Sequence, residues 1–175
     1  FLKSVITAQD SLIHLTERFA AKADEMIAVE ENDTVKDRLI RISKSARKEP
    51  IYPAETFFEA LNTIWYLREV GNSFESLGFA ILGHIDRILE KYYDRDIELG
   101  IITKLEAKDL ITWFVAMTDA RWDLNNTPYG TNTSLNIGGC DREGKTVFND
   151  ITRFVIEAYM EYRFVNPKLQ ARFSA

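Results

Sequence analysis

Cysteine is nearly absent. One thiol, Cys140, among 175 residues excludes an internal disulfide and any zinc site that needs several thiolates, and it suits a reducing, cytoplasmic compartment. The two histidines, His14 and His84, lie too far apart for a helical H-x-x-x-H pair, so no metal site is predicted. Four prolines and eight glycines are too few for a collagen-like or low-complexity polymer. The glycines spell neither G-x-G-x-x-G nor G-x-x-x-x-G-K-S/T, which leaves nucleotide binding without a motif. No apolar run reaches the roughly 20 residues of a transmembrane helix, and Phe1-Leu2-Lys3-Ser4 lacks signal-peptide order. Dense basic runs are missing too: 22 Lys+Arg against 27 Asp+Glu give a net charge of −5. That removes the electrostatic footprint of a nucleic-acid partner or an anionic membrane surface.

What is present is ordinary globular material. With 46% of residues hydrophobic and 12% aromatic, a packed core is within reach. The chain opens on Phe1, not Met, and stops at Ser174-Ala175 just after a strand pattern, as an excised piece of a larger protein would.

Apolar residues at Val5, Ala8, Leu12, Leu15, Phe19, Ala23 and Met26 recur every three or four positions and predict a long amphipathic helix. Asn32 or Asp33 caps a second helix carrying Val35, Leu39 and Ile42. It turns basic at Lys44, Arg47 and Lys48 before Pro50, as a solvated helix C-terminus does. Pro53 suits the first position of a third helix, with a stripe of Phe57, Leu61, Ile64, Trp65 and Arg68 running to about Gly71. Phe79-Ala80-Ile81-Leu82 reads as a short buried strand before Gly83. From Ile85 a helix carries Ile88, Leu89, Tyr92 and Tyr93 to a stop at Gly100. Thr103-x-x-Glu106 is a capping box for a helix that buries Ile111, Phe114, Val115, Thr118 and Trp122 and ends in the polar loop 125–130.

Thr133-Ser134-Leu135-Asn136-Ile137 then reads as a strand broken by Gly138-Gly139, and residues 141–145 as an exposed turn. A helix starts near Asp150, and Leu169-Gln170-Ala171-Arg172-Phe173 alternates as a strand. Strands separated by amphipathic helices imply a parallel sheet. The predicted class is α/β and helix-rich, with a helical block over 1–50 and an α/β unit over 51–175.

Two features bear on chemistry. Cys140 is the strongest nucleophile type in the chain, but its sequence neighbours Asp141 and Glu143 are not the basic surroundings that activate a thiol, so it reads as incidental. The strands are more informative. Asn132, Ser134 and Asn136 share one face of their strand, and Gln170, Arg172 and Ser174 share one face of the other. Strands in a buried parallel sheet are apolar on both faces. A polar face therefore means either a lined cavity or an edge strand wetted by solvent.

The order of segments resembles the N-terminal half of the glycyl radical enzymes. Pro53-Ala54-Glu55-Thr56-Phe57-Phe58-Glu59-Ala60-Leu61 with Ile64-Trp65, then Glu75-Ser76-Leu77-Gly78, then Leu82-Gly83-His84-Ile85-Asp86 with Tyr92-Tyr93 and Asp96, follow that family's sequence. Ile137-Gly138-Gly139-Cys140-Asp141-Arg142-Glu143-Gly144 is similar to its I-G-G-x-D-x-x-G segment, and Asn166-Pro167-Lys168-Leu169-Gln170-Ala171-Arg172 to its N-P-x-L-x-x-R strand. The resemblance implies part of a barrel of two opposed parallel half-sheets wrapped by helices, in a cytoplasmic homodimeric enzyme of anaerobic metabolism. Pyruvate formate-lyase (a formate acetyltransferase) and the diol and amine lyases share that architecture. It further implies a glycyl radical installed by an S-adenosylmethionine-dependent iron–sulfur activating enzyme, a partner of the full-length protein, and a cysteine that relays the radical to a small-molecule substrate.

The family's cysteine motif and radical glycine lie downstream of the Arg172 strand, outside these residues. Cys140 aligns with the I-G-G turn instead, so no catalytic residue is assigned. The family's S-F-G-R-x-D segment stands here as Ile81-Leu82-Gly83-His84-Ile85-Asp86, without its serine and arginine, which implies a divergent substrate. Phe79, Asn132, Ser134 and Arg172 are the residues expected to line a substrate cavity, Arg172 pairing with a carboxylate or phosphate unless a loop acid takes it. The piece is expected to hold no cofactor and to be inactive alone. The competing reading is a non-catalytic helical interaction module that shares only descent with the family.

Overall fold

A computed structural model describes residues 1–74, 81–119 and 133–173. The chain divides into two compact units, 1–55 and 56–175.

The first unit is a helical hairpin of α1 (Leu2–Val29) and α2 (Asp33–Lys48). Three residues join the helices, a length that makes them antiparallel neighbours. Asn32 caps α2 by accepting from the Val35 N–H at 3.2 Å, as its sequence position predicts. The buried side of α1 meets the expected stripe only in part: Ala23 is buried and Leu12 and Leu15 are half-buried. Thr16, Ala20 and Ala23 are buried, whereas Val5, Phe19 and Met26 are exposed. Periodicity locates apolar faces, but small residues allow the closer approach of a neighbouring helix. On the flank of the hairpin, Asp24 accepts from Ser43 Oγ at 2.6 Å and pairs with Arg47.

The second unit runs α3 (Phe57–Phe74), β1 (Ile81–His84), α4 (Ile85–Glu98), α5 (Lys104–Asp119), β2 (Ser134–Gly138), α6 (Asp150–Tyr162) and β3 (Lys168–Arg172). The strands form a parallel sheet in the order β1-β2-β3, as the alternation of strands and helices predicts. Two boundaries differ from expectation. Helix α3 begins at Phe57, four residues past Pro53, because Thr56 and Glu59 form a reciprocal cap: Thr56 Oγ1 accepts from the Glu59 N–H and Glu59 Oε2 from the Thr56 N–H, both at 3.2 Å. Strand β1, described over Ile81–His84, runs two residues past the predicted end at Leu82. Phe79, Ala80, Trp122 and the loop 125–130 lie outside the described residues.

Helices α3 to α6 cover one side of the sheet and enclose a core of Phe57, Leu89, Tyr93, Ile111, Val115, Leu135, Ile137 and Val155. The Tyr93 ring meets Phe57 and Phe154 edge-on, with centroids 5.8 and 6.0 Å apart. Its hydroxyl donates to Asp150 at 2.8 Å, and burial, reinforced by Asp150, pushes the phenol well above its usual range. Asp96 is fully buried and accepts the Phe57 N–H at 2.7 Å, holding the start of α3 against α4. The Thr103–Glu106 box is formed at the start of α5. Among the described residues no helix is long and apolar enough to cross a membrane.

Candidate functional site

The sheet has two unlike faces. Thr133, Leu135 and Ile137 turn to the helices and are buried; Thr133 Oγ1 accepts from Arg68 Nη2 at 3.0 Å, and Arg68 forms a buried ion pair with its neighbour Glu69. The alternating residues face the other way. Ser134, Asn136 and Gly138 pair in register with Lys168, Gln170 and Arg172 of β3, so these side chains share one face. Ser134 and Asn136 are half-buried, and β3 is mostly exposed. Because β2 is the middle strand of the described sheet, the wetted-edge reading of its polar face is overturned.

Strand β1 joins this face through a bulge. Ile81 pairs with Ser134 and His84 with Asn136, three residues against two. Gly83 sits in the bulge at φ +67°, a conformation that favours glycine. The bulge turns His84 to the same side as Asn136. Both bring an unmet polar atom: His84 Nδ1 and Asn136 Oδ1 are buried and have no hydrogen-bond partner among the described residues. Burial, with the nearby Arg87 and Arg172 charges, holds the imidazole below its ordinary pKa despite the opposing effect of Asp86.

One side chain ties the carboxyl end of β2 to the start of α6. Asp86, fully buried in the first turn of α4, accepts the Gly138 N–H at 2.6 Å, the Thr152 hydroxyl at 2.9 Å and the Arg87 N–H at 3.0 Å. Its carbonyl accepts from Asn149 Nδ2 at 3.0 Å, while Asn149 and Thr152 form the capping box of α6. Gly138 has to be glycine. Its φ is +74°, and a Cβ would stand 2.7 Å from the Arg172 carbonyl oxygen. The Arg87 guanidinium donates to the Gly138 carbonyl at 2.8 Å and so lies across the end of β2.

Of the residues expected to line a cavity, Phe79 and Asn132 lie outside the described residues. Ser134 and Arg172 share the open face but stand at its two ends. Four positions of strand separate their register places, roughly 13 Å along the strand. Arg172 is exposed and makes no ion pair among the described residues. Cys140 is a free, exposed thiol opposite Thr146 in an isolated bridge. No group of three or more His, Cys, Asp or Glu side chains suited to a metal occurs among the described residues.

Sequence reasoning found the polar alternation but missed the pairing of His84 with Asn136 and the hub at Asp86. Asn149-x-x-Thr152 before an apolar run was the legible signal for the cap of α6. Nothing in the sequence signals the bulge except Gly83.

Comparison with known proteins agrees with this architecture. The description of the pyruvate formate lyase-like family matches residues 1–175. Isethionate sulfite-lyase of Desulfovibrio desulfuricans is 27% identical over 184 residues, covering 98% of this chain and 22% of that protein. Among solved structures, one of 1,2-propanediol dehydration in Roseburia inulinivorans superposes with a TM-score of 0.90 at 26% identity, over 99% of this chain and 23% of its own. A glycyl radical enzyme from Archaeoglobus fulgidus superposes with a TM-score of 0.85 at 26% identity, over 94% and 22%. The chain thus spans less than a quarter of the length of the relatives it matches.

Proposed function

The chain belongs to the pyruvate formate lyase-like family over its full length, and from that premise we propose that it forms one wall of the substrate cavity in a glycyl radical lyase or dehydratase. Its helix-rich fold with a small parallel sheet corresponds to part of the barrel of such enzymes. The observation that carries the reading is the open face of the sheet. A middle strand of a parallel sheet presents Ser134 and Asn136, with unmet polar atoms on Asn136 and His84, where a scaffold would place apolar side chains. Buried polar atoms without partners cost stability, and a bound small molecule offsets that cost.

In this reading the glycyl radical supplies the hydrogen-abstracting chemistry when installed elsewhere in the full-length enzyme. The residues of this chain orient the substrate. Asn136 and His84 hold a hydroxyl, Arg172 faces the same space, and the α3–α6 layer keeps water from the back of the sheet. Cys140 has no part in the radical relay. Dimerisation, a cytoplasmic location and dependence on an activating enzyme belong to the same proposal.

The test is anaerobic activation of the full-length protein with an S-adenosylmethionine-dependent activating enzyme. Electron paramagnetic resonance is expected to show a glycyl doublet, and none from the 175-residue chain alone. Cys140→Ala in the full-length protein is expected to keep the doublet and the turnover; loss of turnover with the fold intact sinks the assignment of Cys140.

A further inference from the structure

Helix α1 outruns its partner in the hairpin. It has 28 residues against 16 in α2. Pairing outward from the short loop between them leaves the difference, roughly 12 residues or 18 Å of helix, beyond the end of α2. Burial follows the same division: every residue from Phe1 to Ser11 is exposed, and cover begins at Leu12 and Ile13.

This overhang is apolar on the side that α2 covers further along. Thr16, Ala20 and Ala23 are buried in the hairpin, and Leu2, Val5, Ile6 and Ile13 precede them on the same face at helical spacing. Phe1 and Ala8 widen that face. Leu2, Val5 and Ile6 are nonetheless exposed. The opposite face carries Lys3, Thr7, Asp10 and Ser11, and the hydroxyls of Thr7 and Ser11 donate to the carbonyls of Lys3 and Thr7 at 3.0 and 2.8 Å. One side of the overhang is suited to water and the other is not.

A few turns of helix with an uncovered apolar face do not hold in water by themselves, because short helices draw their stability from packing. Size decides what covers this one. A stripe about 18 Å long and one helix wide, about 10 Å, offers roughly 200 Å², against the roughly 800 Å² each partner gives up in a stable complex of separate molecules. That is too little for a second copy of the chain to hold by this stripe. A segment of the same polypeptide faces no such threshold, since its effective concentration is already high. Length for it is available in proteins of this kind: the chain matches only 22% of the isethionate sulfite-lyase and 23% of the propanediol-dehydration structure. Consecutive helices with a short connection lie antiparallel, as α1 and α2 do, and the chain enters α1 at the tip of the overhang.

We propose that the stripe of Phe1, Leu2, Val5, Ile6 and Ala8 seats an amphipathic helix from the polypeptide that precedes Phe1 in the full-length protein, antiparallel to α1 and beyond the end of α2. That helix meets the stripe with apolar residues at steps of three and four and turns its polar side away. The proposal needs only the family membership and stands apart from the cavity-wall reading.

The test is cysteine labelling and cross-linking of the full-length protein, both read by peptide mass spectrometry. Ile6→Cys is expected to react with a maleimide about tenfold more slowly than Asp10→Cys, one turn away on the polar face, and equally fast once the protein is unfolded in urea. The ratio is expected to hold on dilution over about two decades of concentration. Amine cross-links from Lys3 in the unaltered protein are expected to lead into the residues preceding Phe1. Leu2→Cys takes the place of Ile6→Cys if that variant does not fold.

Equal labelling of the two cysteines overturns the proposal. So does protection that disappears on dilution, which assigns the stripe to a second copy, and so do Lys3 links that run only to a second copy or to residues beyond Ala175.

Discussion

The helix-facing and open sides of the sheet use the same three strands for opposite ends. On the helix side the described groups are largely satisfied: Leu135 and Ile137 are packed, Thr133 is bonded to Arg68, and Asp86 takes three donors. On the open side the groups are polar and, at His84 and Asn136, in part unmet among the described residues. Such a division is what a scaffold carrying a binding surface requires, because stability is concentrated where the ligand is not.

The sharpest break in this comparison comes at Asp86. Asp86→Ala strands the Gly138 N–H and the Thr152 hydroxyl in a buried place, and the expected loss is about 3–5 kcal/mol in denaturant unfolding. An effect under about 1 kcal/mol would deny that the helix side carries the stability. Gly138→Ala comes next. The left-handed backbone and the close Arg172 carbonyl should together cost more than about 2 kcal/mol and loosen β3, visible as faster amide exchange in residues 168–172.

A smaller effect should follow from pH. The Asp150 carboxylate is held below its usual pKa by the hydrogen bond from Lys104, then by the one from Tyr93, with Arg153 adding to it. A carboxylate with a depressed folded-state pKa contributes stability that is complete above its unfolded value near 4 and is lost as pH falls through the lower folded value. Unfolding midpoints at pH 5 and pH 3 should therefore differ, and Asp150→Asn should flatten that difference. Smallest of all are the open-face changes. Arg172→Gln and Asn136→Leu should shift stability by no more than about 0.5 kcal/mol, or raise it slightly for Asn136→Leu, because neither removes a side-chain partner among the described residues. A large loss from either would erase the contrast between the two faces.

Much of this was legible in the residues. Helix positions followed from apolar spacing, and the parallel sheet from the alternation of element types. Boundaries went astray where local chemistry competed. Pro53 is a good first helical residue, yet Thr56-x-x-Glu59 supplies two reciprocal bonds and fixes the start at Phe57. The stripe of α1 found Ala23 but also pointed to Val5, Phe19 and Met26, which are exposed, and missed Thr16 and Ala20, which are buried, since the neighbour decides which face is covered. At the site, alternation revealed Ser134 and Arg172 as sharing a face. It could not reveal that a bulge at Gly83 sets His84 beside Asn136, because that meeting depends on the pairing of segments about fifty residues apart.

The carboxylate of Asp86 also acts as a synchroniser. Its two tertiary donors lie 52 and 66 residues further along the chain, and a charge cannot stay buried while half its partners are missing. The end of β2 and the start of α6 therefore open together or not at all. Fraying, which in most parallel sheets begins at strand ends, is tied here to the largest cooperative unit of the fold. The amide of Gly138, the register partner of Arg172, should exchange with solvent only as slowly as the whole unit unfolds. The end of the middle strand thus keeps its shape for as long as the unit is folded.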